Sequence, residues 1–162
     1  KIPGRMQVLT SANHGTIYVD YAHNYASIAA LLNFVRQNET VEKLTIVVGA
    51  PGNKGVSRRP GIGQAVSEGA DVVYLTSDDP QYEDPNAIAD EIQAAITNKD
   101  VVINREMDRT IAITEAIKAA GPNDVVVLAA KGLDEYQKIG GVDTPYENDW
   151  AVAQRVVNEL EA

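Results

Sequence analysis

Two adjacent carboxylates, Asp78 and Asp79, precede a proline in Thr76-Ser77-Asp78-Asp79-Pro80-Gln81-Tyr82-Glu83-Asp84-Pro85. They follow the apolar run Val72-Val73-Tyr74-Leu75, which reads as a buried parallel strand. In open α/β sheets, ligands gather at the carboxyl ends of strands. Two acids at such an end suit a cationic group, either a substrate ammonium or a metal ion. Pro80 and Pro85 stiffen the loop that carries them. Asp84-Pro85 is accounted for as a helix cap followed by proline at the first helical position. Capping does not account for Asp78 and Asp79, which lie earlier in the loop.

Three further loops carry residues of chemical interest at the ends of expected strands. Asp20-Tyr21-Ala22-His23-Asn24 offers a carboxylate to accept from a ribose and an imidazole to stack on or bond a base. Helix capping and an ordinary surface histidine explain the same residues equally well. Gly49-Ala50-Pro51-Gly52-Asn53-Lys54-Gly55 is glycine-rich but is not a P-loop: Gly49 and Gly52 are three apart, and Lys54 precedes Gly55 rather than Ser or Thr. Its backbone N–H groups, with Lys54, Arg58 and Arg59, are expected to suit a carboxylate or phosphate. A solvated helix start is the bland reading of Arg58-Arg59, weakened because cations are disfavoured at a helix N-terminus. Lys131-Gly132-Leu133-Asp134-Glu135 adds a lysine and two acids. A basic substrate would meet Asp79 and Asp134 with its ammonium and Lys54 with its carboxylate. For Lys131, a snorkelling surface side chain is the simplest alternative.

The elements that must position these loops alternate between strand and helix. Met6-Thr10 and Thr16-Tyr21 read as a hairpin about the polar turn Ser11-Gly15. Tyr25-Gln37 reads as a helix with Ile28, Leu31, Leu32 and Val35 on one face and Asn24 as its cap. The expected sequence continues with strand Leu44-Gly49, loop Ala50-Pro60, helix Gly61-Glu68 closed by Gly69, strand Val72-Thr76 and helix Pro85-Ile96. Strand Val101-Asn104, helix Arg109-Ala119 and the apolar strand Asp124-Ala130 follow. Lys131-Tyr146 is a loop or small hairpin around Gly140-Gly141, and Asn148-Leu160 is the last helix. Such alternation implies right-handed crossovers and one α/β domain over residues 1–162. The expected architecture is a three-layer, Rossmann-like fold: a mainly parallel sheet of about six strands with helices on both faces.

Composition narrows the function classes. A chain of 162 residues with 44% hydrophobic and 23% charged residues suits a single globular domain. There is no cysteine, hence no disulfide, thiolate nucleophile or Cys-type zinc site, and two histidines cannot build a His-rich centre. A net charge of −9 argues against a nucleic-acid surface. No apolar run approaches the ~20 residues that span a bilayer, and no signal peptide is visible. The chain opens Lys1-Ile2-Pro3-Gly4-Arg5 without Met, as expected of a piece of a longer polypeptide.

Pro3-Gly4-Arg5-Met6, Asp20-Tyr21-Ala22-His23, Asp78-Asp79-Pro80 and Ala130-Lys131-Gly132 through Tyr136-Gln137 occur in one order. In this the chain resembles the C-terminal domain of the Mur ligases, particularly those that add the third residue of the peptidoglycan stem peptide. The resemblance covers essentially the whole chain. It implies a cytoplasmic enzyme with two further domains, one for the UDP-sugar and a central ATPase domain with the P-loop. ATP, with Mg²⁺, phosphorylates the carboxylate of UDP-MurNAc-L-Ala-D-Glu, and the incoming amine attacks the acyl phosphate. Arg5, Asp20, His23 and Asn24 are then expected on the nucleotide. Lys54, Asp78, Asp79, Gln81, Ala130, Lys131 and Asp134 are expected on the added amino acid. ATP and Mg²⁺ would be held mainly by the central domain, with no metal site here, and this domain alone is expected to be inactive.

The departures from the family pattern bear on the substrate. Asp78-Asp79-Pro80-Gln81 matches an Asp-Asn-Pro-Arg motif whose Arg binds the second carboxylate of meso-diaminopimelate. Gln81 carries no charge, and Asp79 prefers an ammonium. Both favour L-lysine, with ornithine and meso-diaminopimelate as alternatives. Lys54 replaces a common Arg and lacks its bidentate geometry; Asp134 replaces a common Glu. Two other classes compete. A receiver-like signalling domain would place its acid pair after the first strand and follow its lysine with proline, unlike Lys131-Gly132. A nucleotide- or amino-acid-binding module without a reaction is the other.

Overall fold

The computed structural model describes residues 6–162. Arg5, expected near the nucleotide, lies outside the described residues. The elements run β1 (Gln7–Ser11), β2 (Gly15–Asp20), α1 (Tyr25–Asn38), β3 (Leu44–Val48), α2 (Arg58–Gly69), β4 (Val72–Leu75) and α3 (Pro85–Ala94). They continue β5 (Val102–Arg105), α4 (Arg109–Ala119), β6 (Val125–Ala129), β7 (Tyr136–Ile139), β8 (Val142–Pro145) and α5 (Asp149–Leu160).

Six strands form one sheet in the order β1-β2-β6-β3-β4-β5. Only the β1–β2 hairpin pairs antiparallel; the other four pairings are parallel. Strands β3 and β6 are buried along their whole length, which explains their unbroken apolar runs. The edge strands β1 and β5 carry exposed positions. Helices α1, α2 and α3 close one face over Ile46, Val48, Val73, Leu75 and Val127. Helices α4 and α5 close the other over Ile17, Val19, Val47, Val126 and Leu128. This division follows from crossover handedness. The chain moves one way along the sheet from β2 through β3 and β4 to β5, then returns to β6, so α4 must cross on the opposite face. The return inserts β6 between β2 and β3, the kind of reversal in strand order at which open α/β sheets hold ligands.

The expected three-layer architecture is present, with local differences. Helix α2 begins at Arg58 and takes Pro60 into its first turn, where the missing N–H would have no intrahelical partner. Gly69 is its last helical residue rather than the residue beyond it. Helix α3 ends at Ala94, two residues before Ile96. The segment around Gly140-Gly141 is the separate β7–β8 hairpin. No helix among the described residues is long and apolar enough to cross a membrane.

Candidate functional site

The loops after β2, β3, β4 and β6 leave the same edge of the sheet, because these strands are mutually parallel and adjacent. The described residues with left-handed backbone that are not glycine are Met6, Asn53, Gln81 and Ala130, and all four lie at this edge. Met6 belongs there because β1 starts opposite the end of β2. Such conformations persist where the surroundings over-determine them, and they cluster at functional sites.

After β2, the Asp20 carboxylate accepts from Ala22 N at 2.8 Å and from Met6 N at 2.8 Å, fixing the start of β1 against this loop. Its neighbour His23 donates from Nδ1 to the Tyr21 carbonyl at 2.9 Å, leaving Nε2 exposed as an acceptor in the neutral ring. Asn24 caps α1: its side chain accepts from Ser27 N at 2.9 Å, and Ser27 Oγ accepts from Asn24 N in a reciprocal capping box. A cleft of about 330 Å³ lies against Met6, Asp20, Tyr21, Ala22, His23 and Ser27. These groups offer a nucleotide an exposed acceptor and an apolar wall. No group of three or more His, Asp or Glu among the described residues is arranged to hold a metal ion.

After β6, Ala130 takes φ 84° and donates its N–H to the Asp20 carbonyl at 3.0 Å, joining the β6 and β2 exits. Lys131 is fully buried rather than snorkelling. Its ammonium donates to Asp79 Oδ1 at 2.7 Å and to the Tyr136 carbonyl at 2.8 Å; Asp134 lies at 3.7 Å and Asp78 at 4.0 Å. Asp79 therefore has an internal ammonium partner. The Asp78 side chain is buried beside it, and its carboxyl has no hydrogen-bond partner among the described residues. Burial raises the Asp78 carboxyl above the usual range, against the opposing pull of Arg109 and Lys131. Asp134 is half exposed, with Tyr21 Oη 3.5 Å from Oδ1.

After β3, Lys54 is exposed and makes no hydrogen bond or ion pair among the described residues. Arg59 is the reverse of a free cation. It is buried, forks onto Glu83 at 2.8 and 3.0 Å, and reaches Glu91 at 2.7 Å and the Pro51 carbonyl at 3.1 Å. The expectation that Arg59 meets a substrate anion is corrected: both terminal nitrogens are engaged inside the chain, and Nε, which has no partner among the described residues, is buried away from the surface. The backbone N–H groups of Gly52, Asn53, Arg58 and Arg59 likewise donate within the protein. Gln81 takes φ 54°, donates its N–H to Lys138 O at 2.7 Å and accepts from Gly140 N at 2.6 Å. The β7–β8 hairpin is thereby docked on the Asp78–Gln81 loop.

Sequence reasoning missed one set of residues. Arg109, at the first turn of α4, forks onto Asp149 at 2.7 and 2.9 Å with both side chains fully buried. It also donates to the carbonyls of Ala129 at 2.7 Å and Ser77 at 3.2 Å, and Tyr146 Oη donates to Asp149 at 2.6 Å. Burial alone would lower the Arg109 guanidinium, but Asp149 outweighs it and holds the group above its ordinary value. Arg109 thus ties the ends of β4 and β6 to the start of α5. A cation at a helix N-terminus was the available signal, since it requires a compensating partner.

Comparison with known proteins identifies the family and the fold. The chain is 55% identical to UDP-N-acetylmuramyl-tripeptide synthetase of Ligilactobacillus salivarius, over 98% of the chain and 31% of that protein. It is 48% identical to UDP-N-acetylmuramoyl-L-alanyl-D-glutamate--L-lysine ligase of Enterococcus faecalis, again over 98% of the chain and 31% of the relative. The chain therefore spans about a third of the length of these relatives. A solved UDP-N-acetylmuramoyl-L-alanyl-D-glutamate--2,6-diaminopimelate ligase superposes with a TM-score of 0.90 at 31% identity, over 99% of this chain and 32% of that one. E. coli FolC in complex with ADP shares the fold alone, with a TM-score of 0.62 at 14% identity over 99% of this chain and 32% of that one. Residues 4–132 match the family model for the Mur ligase glutamate ligase domain, and with these relatives the match shows that the chain belongs to the Mur ligase family.

Proposed function

We propose that the chain is the amino-acid-recognising C-terminal domain of an ATP-dependent ligase that adds L-lysine to UDP-MurNAc-L-Ala-D-Glu in cytoplasmic peptidoglycan synthesis. The observation that carries the reading is the charge pattern of the edge. Among the described residues, Lys54 is an unpaired cation, Asp78 and Asp134 are acids without a strong internal partner, and Gln81 between the loops is uncharged. Lys54 suits the α-carboxylate of an amino acid. Asp78 and Asp134 suit a terminal ammonium, and a terminal carboxylate in the same place would be repelled and left unpaired. Lys131 holds Asp79 and so acts on the ligand through it. The names of the relatives, one of them an L-lysine ligase, support the same substrate.

Asp20, His23 and Asn24, with Arg5 preceding them, are proposed as this domain's contribution to the nucleotide site. The exposed His23 Nε2 acceptor and the cleft beside Asp20 fit a ribose or base edge. Mg²⁺ and the phosphates would be held chiefly by the central ATPase domain, where the charge of the transferring phosphoryl group is neutralised. The isolated domain is then expected to be inactive, its role being to close on the central domain and deliver the amine.

The test is phosphate release by the full-length enzyme with ATP and UDP-MurNAc-L-Ala-D-Glu, offered L-lysine, L-ornithine or meso-diaminopimelate separately. A strong preference for L-lysine supports the reading. A preference for meso-diaminopimelate keeps the ligase and rejects the charge argument. Turnover with none of the three rejects the reaction.

A further inference from the structure

The loop carrying Lys54 and the loop carrying Gln81 are joined by a compact set of bonds. Gly52 N donates to Asp79 O at 2.7 Å, and Tyr82 N donates to Asn53 Oδ1 at 2.9 Å. Asn53 N donates to Glu83 Oε1 at 2.7 Å. The same Glu83 carboxylate is gripped by both terminal nitrogens of Arg59, which also holds the Pro51 carbonyl. The approach is close: a Cβ on Gly52 would run into the Pro80 carbonyl. Asn53 at φ 59° and Gln81 at φ 54° both adopt left-handed backbone within this junction. Three of the bonds converge on Glu83, whose carboxyl is held at about 2 by the Arg59 guanidinium first and the Asn53 amide second.

We infer that Asn53 and Glu83 are positioning residues for amino-acid recognition, locking the Lys54 and Gln81 loops into one rigid platform. The inference rests on the proposed function for the identity of the ligand. Neither residue need touch it. Lys54 directly follows Asn53, and Gln81 directly precedes Tyr82, whose amide Asn53 accepts. The clamp therefore fixes the backbone at both recognition positions. Lys54 has a long flexible side chain and no partner among the described residues, so the direction of its ammonium depends on the backbone that carries it. A recognition geometry set by the free protein avoids the cost of ordering two loops on binding.

The experiment uses the full-length enzyme with Asn53→Gly, Glu83→Gln and the double variant. Asn53→Gly removes the side-chain acceptor for Tyr82 N and tolerates the left-handed backbone. Glu83→Gln keeps the shape and sets a donor against one arm of Arg59. Each single variant is expected to raise KM for L-lysine by about three- to tenfold, the scale of one lost hydrogen bond. kcat and KM for ATP and for UDP-MurNAc-L-Ala-D-Glu should stay within about twofold of wild type. Because the two residues act as one unit, the double variant should raise KM by less than the product of the singles. Unchanged KM for L-lysine in both singles would overturn the inference. So would a parallel rise of all three KM values with loss of kcat and of thermal stability, which is a general folding defect. A product of independent effects in the double variant would overturn the single platform. A wild-type enzyme that ligates none of the amino acids overturns the proposed function itself, and that arm is read before any variant is compared.

Discussion

Lys131 places its ammonium 2.7 Å from Asp79 Oδ1, so the carboxylate that the sequence offers to a substrate amine is already ion-paired inside the chain. Lys131 is fully buried and Asp79 only slightly exposed, so the pair has little water to fall back on. Asp79→Asn leaves a buried ammonium with the Tyr136 carbonyl and two more distant acids. The expected loss is about 2–4 kcal/mol. Lys131→Met added to Asp79→Asn removes the stranded charge, and the double variant should be more stable than Asp79→Asn alone. Urea unfolding of the three chains at constant m-value checks this; simple additivity would contradict it.

Arg109 and Asp149 form a second buried pair, and it is wired to the backbone at the ends of both β4 and β6. Asp149→Asn leaves the guanidinium without its counter-charge and weakens the acceptor for Tyr146. A loss of about 3–5 kcal/mol is expected, among the largest of any single polar substitution in the chain. Thermal unfolding of Asp149→Asn beside Glu147→Gln, an exposed surface carboxylate, makes the comparison. Equal shifts would remove Arg109 from its structural role.

Glu83 and Asp78 have opposite pH signatures. The Glu83 carboxyl is lowered from 4.5 to about 2 by Arg59 and the Asn53 amide. A depressed carboxyl contributes stability that is present above its unfolded value and is lost as pH falls from 4.5 towards 2. Asp78 is raised by burial, so folding disfavours its charged form, and this contribution becomes less favourable as pH rises above 3.8. Glu83→Gln should flatten the fall of the urea midpoint on the acid side. Asp78→Asn should raise the midpoint at neutral pH while reducing ligation by the full-length enzyme, as expected where a site residue is held against its own solvation. A neutral-pH loss of stability in Asp78→Asn would show that attraction to Lys131 and Arg109 outweighs burial.

The framework is legible in the sequence because its cues are local. Asp124-Ala130 and Leu44-Gly49 read as buried strands, Asn24 and Asp84 as caps, and Gly140-Gly141 as the centre of a loop or small hairpin, and the structure has β6, β3, both caps and the β7–β8 hairpin there. Once these elements alternate, crossover handedness brings the four loops to one edge. What the sequence does not reveal is which charges are already paired. Lys131 and Asp79 are 52 residues apart, Arg109 and Asp149 are 40, and Arg59 and Glu83 are 24. Residue type and spacing make Arg59, Lys131 and Lys54 look alike; only the fold separates the two buried structural cations from the exposed one. The left-handed backbone of Gln81 and Ala130 is equally hidden, because neither residue type favours it and the hairpin and the Asp20 carbonyl impose it.

Gln81 is the position at which the substrate choice should be reversible. Its backbone is fixed on both sides by the β7–β8 hairpin through Lys138 O and Gly140 N, so a change of side chain leaves the loop in place. Glutamine and arginine are both unbranched at Cβ and strain the left-handed backbone similarly, and Gln81 is partly exposed, so the longer side chain has room. Gln81→Arg introduces a planar cation that can bind a carboxylate in bidentate fashion, which lysine does not possess and meso-diaminopimelate does. It also sets a like charge near the terminal ammonium of lysine. In the full-length enzyme, the ratio of kcat/KM for meso-diaminopimelate to that for L-lysine should rise at least about tenfold, or about 1.4 kcal/mol. Adding Asp79→Asn should raise the ratio further, at the cost of stability described above, because it leaves the Lys131 charge uncompensated beside this loop, which favours a second carboxylate. If both variants keep the wild-type ratio, the uncharged Gln81 is not what selects the amine, and discrimination must rest on Asp134 and the remainder of the enzyme.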